Sequence, residues 1–307
     1  MRLLVLGAGG VGGYFGGRLA AAGVDVRFLV RPARAERLAR DGLVITSPIG
    51  NVRTPVTTLT MVDTPFDAVL LGCKAYDLDG AITAIAPAVG PSTLILPLLN
   101  GLRHLDRLDA QFGKDRVLGG LCHIGVHLTD TGELIHLDAL QRFVLGTRTE
   151  RQAAATAPLY DTLQRGGFAP VLSDVIMQDM WEKFTFLTTY AGMTTLMRAA
   201  VGAILKAEEG EALMREMLEE CVATATAQGY PPRAAAVTQM RATLTDRASA
   251  GTASMFRDMA GNGRTEHEHI LGDMLARARS GGLSAPLLRV SLANMQIYDA
   301  SRRAAGA

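Results

Sequence analysis

At the amino end the apolar positions fall into two short runs around a glycine-rich stretch. Residues 3–6 (LLVL) form a continuous apolar run that stops at Gly7, as a strand buried on both faces of a parallel sheet does. Residues 12–22 are helix-compatible and end at Gly23, and residues 24–30 are rich in β-branched and aromatic side chains. Strand, helix and strand inside about 30 residues predict a βαβ unit.

Similar runs recur further along. Residues 43–46 and 52–57 read as an antiparallel excursion, and residues 67–73 (DAVLLGC) as a buried strand. A helix is predicted over 78–88, ending before Pro91, then a strand over 93–96 and a helix over 102–112. Strands over 117–122, 133–137 and 142–146 and a helix over 151–165 complete the set. Strands alternating with helices predict an α/β fold with a doubly wound parallel sheet. After Val171 and Leu172 the character changes. From Asp174 onward Ala, Met, Leu, Glu and Arg dominate, broken at residues 229–232 and 261–263, which predicts an all-helical domain. The expected division is residues 1–172 and 173–307, two domains of about 150 residues each.

Composition narrows the function. A chain that is 48% hydrophobic and 20% charged is globular rather than disordered. A net charge of +1 gives no field to gather nucleic acid, so a partner must be chosen by a local site. No run of about 20 apolar residues is present, so no membrane span is expected. The amino-terminal apolar run is too short, and too soon broken by glycine, for a signal peptide. Cys73, Cys122 and Cys221 are widely spaced and form neither a disulfide framework nor a zinc knuckle, which fits a reducing cytoplasm. His267 and His269 project to different sides of a helix, so no metal site is expected.

Gly7-Ala8-Gly9-Gly10-Val11-Gly12 matches G-x-G-x-x-G, directly after the first strand and opening a helix. Gly7 permits the tight turn, Gly9 the approach of a pyrophosphate, and Gly12 close packing of helix on strand. The first domain therefore reads as a Rossmann domain. At the end of the second strand, where NAD sites place an acid, stands Arg31. A guanidinium there pairs with a 2′-phosphate, which predicts NADPH over NADH.

Lys74 and Asn100 follow two further strands, at the sheet edge that faces ligands in open α/β folds. Trp181-Glu182-Lys183-Phe184 reads as the start of a helix, with Leu187, Tyr190 and Ala191 on the face of Lys183. A lysine buried there becomes a usable general acid; the alternative is a snorkelling surface lysine. Thr265-Glu266-His267-Glu268 fits a capping box, with Glu266 as a first-turn acid.

Together, VLGAGGVGGYFGGRLA at 5–20, CKAYDL at 73–78, NGL at 100–102, WEKF at 181–184 and SMFRDMAGNGRTEHEHI at 254–270 resemble the ketopantoate reductase family over essentially the whole chain. The resemblance implies a cytoplasmic, NADPH-dependent reduction of 2-dehydropantoate to pantoate in pantothenate and coenzyme A biosynthesis. It also implies an active site between a Rossmann and a helical domain. By the same resemblance Gly7, Gly9 and Gly12 carry the pyrophosphate and Arg31 meets the 2′-phosphate. Lys74 and Asn100 contact the nicotinamide half of the cofactor and the substrate. Lys183 protonates the forming alkoxide, and Ser254 and Glu266 hold the substrate's polar groups. One departure stands out. The family usually bears asparagines four and eight residues after the lysine, where this chain has Leu187 and Ala191. Tyr190 or Thr188 is the candidate replacement; otherwise the chain is a paralogue for another 2-oxo acid or ketone. Lys183 and Glu266 together argue against a non-catalytic NADP-binding sensor. Met193–Met197 and Met214–Met217 suit a core and a homodimer contact equally.

Overall fold

The computed structural model describes residues 1–306 and divides into two compact units. One comprises Met1–Leu99 and His104–Ile176; the other comprises Asn100–Arg103 and the chain from Met177 onward.

In the first unit the chain runs β1 (Arg2–Leu6), α1 (Gly10–Ala21), β2 (Asp25–Leu29), α2 (Pro32–Asp41), β3 (Leu43–Thr46), β4 (Val52–Thr54) and β5 (Thr57–Leu59). It continues through β6 (Ala68–Leu71), α3 (Leu78–Ile85), β7 (Leu94–Pro97), α4 (Arg103–Phe112), β8 (Gly119–Leu128), β9 (Leu134–Gly146), α5 (Ala153–Gln164) and β10 (Val171–Leu172). Five strands in the order β5-β2-β1-β6-β7 form the expected parallel sheet. The central strands β1, β6 and β7 are mostly buried, because helices cover such a sheet on both faces, while the edge strand β5 is not.

Three strand expectations change. Residues 52–57 do not make one strand. Pro55 lacks the N–H a ladder needs, so the run splits into β4, antiparallel to β3, and β5, parallel to β2 in the other sheet. The strands after β7 do not extend the parallel sheet but join a second, mixed one in the order β10-β9-β3-β4, with β8 on β9. Residues 133–137 and 142–146 belong to one continuous strand, β9. Its middle, Leu137–Leu140, is exposed and covers no core, leucines included.

Glycines on α1 explain how one helix serves two sheets. A Cβ at Gly16 would sit 2.9 Å from the Phe28 ring and one at Gly12 3.3 Å from Val5, both on the parallel sheet. A Cβ at Gly13 would sit 2.7 Å from Leu134 and one at Gly17 2.5 Å from Leu43, both on the mixed sheet. The i, i+4 pairs Gly12/Gly16 and Gly13/Gly17 thus give α1 two smooth faces. Glycine weakens a helix by ~1 kcal/mol per residue, and here burial between two sheets offsets that cost.

The second unit holds α6 (Ile176–Met197), α7 (Val201–Ile204), α8 (Gly210–Ala227), α9 (Ala234–Leu244), α10 (Ser254–Ala260), α11 (Asp273–Ser280) and α12 (Pro286–Ala304). A π-helical turn, Glu268–Gly272, leads into α11. The helix expected to begin at Trp181 begins at Ile176, so Lys183 lies two turns inside it. Helix α6 buries several threonines, which disfavour helices when their hydroxyls compete for backbone partners. Here Thr189, Thr194 and Thr195 donate back to the carbonyls of Thr185, Tyr190 and Ala191, so burial leaves those three groups paired. Met193, Met214 and Met217 are fully buried within this unit. No helix among the described residues is long and apolar enough to cross a membrane.

Candidate active site

The glycine turn has the form a pyrophosphate requires. Gly7 has φ +86°, a region that side chains disfavour, and its N–H donates to the Leu29 carbonyl at 3.0 Å, tying the turn to β2. A Cβ on Gly12 would sit 2.5 Å from the Gly7 carbonyl oxygen. At Gly9, by contrast, a Cβ meets nothing within 4 Å, so this side of the turn is open. Gly9 caps α1 without a side chain, and the first turn carries no acid. The first N–H groups of α1 and its positive dipole end are therefore available to an anion.

Arginines from α2 complete this region. Arg31 caps α2 and makes one exposed ion pair, 3.3 Å from Asp77, with its side chain 86% exposed. Such a pair is worth at most about 1 kcal/mol, so the guanidinium is easily redirected to another anion. Arg34 has a role the sequence reading missed. It donates to the Ala8 carbonyl at 3.1 Å and the Gly132 carbonyl at 3.0 Å, bracing the glycine turn against the β8–β9 turn. Arg37 grips Asp130 beside it, at 2.6 Å to the carbonyl. The signal was present in the three-residue spacing of Arg31, Arg34 and Arg37, which sets them along one side of a helix. Lys74 lies just past β6 and caps a short 3-10 turn, Ala75–Asp77.

In the second unit, α6 is buried around most of its circumference. Between Asp179 and Tyr190 the half-buried positions are Asp179, Lys183, Phe186, Leu187 and Tyr190, spaced as one helical stripe. Ala191, expected on the face of Lys183, is not on this stripe but fully buried. Eight residues at about 100° each carry it round the helix, past a stripe this narrow. Thr188 is interior as well, so of the two suggested replacements only Tyr190 reaches the stripe. Tyr190 stacks on Phe186, with ring centroids 5.5 Å apart, and lies against Gly251, three residues before Ser254. Burial pushes its phenol up, with the Arg257 charge opposing. Ser254 is the half-buried first residue of α10.

Lys183 Nζ donates to Asn100 Oδ1 at 3.0 Å, joining two residues singled out from separate motifs. The neighbouring residues of WEKF anchor the helix. Trp181 stacks on Tyr230 at 5.6 Å. Glu182 accepts from the Arg233 main chain and guanidinium, each at 2.8 Å. Burial works against the Glu182 carboxylate, yet the Arg233 bonds hold its pKa below the ordinary value.

The capping box expected at Thr265–Glu268 does not form. Thr265 Oγ1 is bonded to His267 Nδ1 at 2.8 Å, and Glu268 bonds Gln296 at 2.7 Å. Thr265 takes a partner two residues on and Glu268 a tertiary one on α12, in place of the helix end. Glu266 is buried, and its main-chain carbonyl accepts from the N–H groups of both His269 and Ile270, each at 3.0 Å. Among the described residues no group of three or more His, Cys, Asp or Glu is gathered to hold a metal ion.

Comparison with known proteins agrees with this architecture. Residues 3–150 match the family described as ketopantoate reductase PanE/ApbA, and residues 175–298 match its C-terminal counterpart. The chain therefore belongs to the ketopantoate reductase family and is an oxidoreductase. It is 37% identical to an uncharacterised oxidoreductase of Bacillus subtilis, YkpB, over 98% of this chain and 100% of that one. It is 27% identical to 2-dehydropantoate 2-reductase of Halobacterium salinarum, over 94% and 96% of the two chains. A crystal structure of a PanE/ApbA family ketopantoate reductase from Ralstonia eutropha superposes with a TM-score of 0.88 at 25% identity, covering 99% and 100%.

Proposed function

We propose that this protein is a cytoplasmic NADPH-dependent reductase of a 2-oxo acid, with 2-dehydropantoate as its first candidate substrate, in pantothenate and coenzyme A biosynthesis. The observation that carries this reading is the Lys183–Asn100 contact on the half-buried stripe of α6. When bound, the cofactor supplies hydride to the carbonyl carbon. Gly7, Gly9 and Gly12 would hold its pyrophosphate, Arg31 its 2′-phosphate, and Lys74 and Asn100 its nicotinamide half. As hydride arrives, negative charge grows on the carbonyl oxygen. Lys183, aligned by the Asn100 amide, stabilises that charge and delivers the proton that completes the alcohol. Ser254 and Glu266 hold the polar groups of the substrate.

Steady-state NADPH oxidation across a panel of 2-oxo acids tests the reading. Turnover of 2-dehydropantoate with the highest kcat/KM supports it, and no turnover of any 2-oxo acid overturns it. A second reading, a paralogue for a less polar 2-oxo acid, is favoured by Leu187, an apolar residue one turn beyond Lys183 on the stripe. The substitution Leu187→Asn separates the two. One regained hydrogen bond is worth about 1 kcal/mol, so KM for 2-dehydropantoate should fall about 5-fold if that is the substrate. For an apolar substrate the same change buries an unmatched amide and should raise KM.

Arg31 carries the cofactor preference. Arg31→Ala is expected to weaken NADPH binding about 10-fold, the lower end of what a charged hydrogen bond contributes, because Arg31 is exposed and Asp77 competes for it. NADH affinity should be nearly unchanged. Equal losses for both cofactors, measured by fluorescence titration, would remove the assignment. Arg34 is no ready substitute, since it is committed to Ala8 and Gly132.

A further inference from the structure

We infer that His269 is a positioning residue for carbonyl reduction: its buried ring grips the main chain at Asn100 and so fixes the amide oxygen that receives Lys183. The inference rests on the reading of Lys183 as proton donor.

The geometry runs through four connected groups. Lys183 Nζ donates to Asn100 Oδ1 at 3.0 Å. Asn100 sits between β7 and α4, outside any regular helix or strand. Gly101 follows with φ +81° and exposes its bare α-carbon to His269: a Cβ there would lie 3.0 Å from ring Cδ2 and 3.2 Å from Nε2. The ring is also hydrogen-bonded to the main chain of Asn100, in the sense that favours a ring N–H donating to the carbonyl. His269 thus packs on one residue of the Asn100–Gly101 pair and bonds the other.

The ring is itself held firmly. His269 is 7% exposed, and its main-chain N–H donates to the Glu266 carbonyl at 3.0 Å, which fixes the backbone that carries the ring. It lies in the π-helical turn, a distortion that often marks functional positions. The charged groups acting on the ring are Glu266, Asp273 and Arg103. Burial, the largest influence, lowers its pKa against the pull of the two acids, so the ring is a neutral donor at neutral pH. One short turn therefore orders both Glu266 and, through His269, the Asn100–Lys183 pair.

The test compares His269→Phe, His269→Gln, Asn100→Ala and the double variant His269→Phe/Asn100→Ala. His269→Phe is expected to lower kcat about 10- to 100-fold, the effect of misplacing a reacting group by ~1 Å, with NADPH affinity changed little. His269→Gln keeps an N–H donor and should recover to within about 3-fold of wild type. If His269 acts through Asn100, the double variant is no slower than Asn100→Ala alone, because the two losses are one loss. A second readout needs no turnover. The rate at which an amine-directed acylating reagent labels Lys183, followed by mass spectrometry, should rise by the same factor in His269→Phe and Asn100→Ala and return in His269→Gln. That measurement judges His269 even if no 2-oxo acid proves to be a substrate, and even if the phenylalanine variant folds poorly. Unchanged labelling in the His269 variants, losses that multiply in the double variant, or a glutamine variant no better than phenylalanine would each overturn the inference.

Discussion

Lys183→Ala is expected to lower kcat by about 10²–10⁴-fold, the range a positioned general acid contributes. NADPH affinity should stay nearly constant, because the glycine turn and Arg31 that would bind the cofactor belong to the other unit. The α6 framework should survive the change. Its anchors are Trp181 on Tyr230 and Glu182 on Arg233, not the lysine. A surface lysine would behave differently, since its loss rarely costs more than a few tenths of a kcal/mol and has no route to kcat. Single-turnover measurement of NADPH oxidation beside a binding titration distinguishes the two. A variant within about 3-fold of the wild-type rate would return Lys183 to the role of a snorkelling side chain.

Gly9→Ala is expected to abolish measurable dinucleotide binding while leaving the fold intact. The added methyl meets no protein atom within 4 Å, so it costs the folded chain little. It projects into the open side of the turn, where a pyrophosphate must come close to the backbone. Gly12→Ala supplies the contrast. Its methyl would press on the Gly7 carbonyl at 2.5 Å, so this variant should lose melting temperature as well as binding. Calorimetric titration and circular dichroism on both variants separate the effects. Normal NADPH binding by Gly9→Ala would show that the phosphates lie elsewhere.

The two glycines also show how far reading the chain alone could go. The turn, its place after β1 and its helix were legible because each depends on residues within one short segment. Gly13, Gly16 and Gly17 were not, since their neighbours Leu134, Phe28 and Leu43 come from three different strands. In the sequence they are simply poor helix formers. Pro55 carried a local signal for dividing residues 52–57, but nothing local says which sheet each half joins. In the helical unit the lysine stood out by its apolar surroundings. The width of its stripe did not, and so Ala191 was expected at a face from which the packing of α6 removes it.

From its sequence alone this chain has its element types, the parallel βαβ core, the change to helices after β10 and the chemistry of its motifs. These follow from periodicity and from steric limits acting within a few residues. Tertiary structure decided the rest: that α1 lies between two sheets, that Arg34 is spent on bracing the glycine turn, that Glu268 turns to Gln296 rather than to a helix end, and that His269 reaches Asn100. The physical reason is common to all four. Each depends on which distant groups burial brings within bonding reach, and a buried polar group or bare glycine takes whatever partner the packing presents.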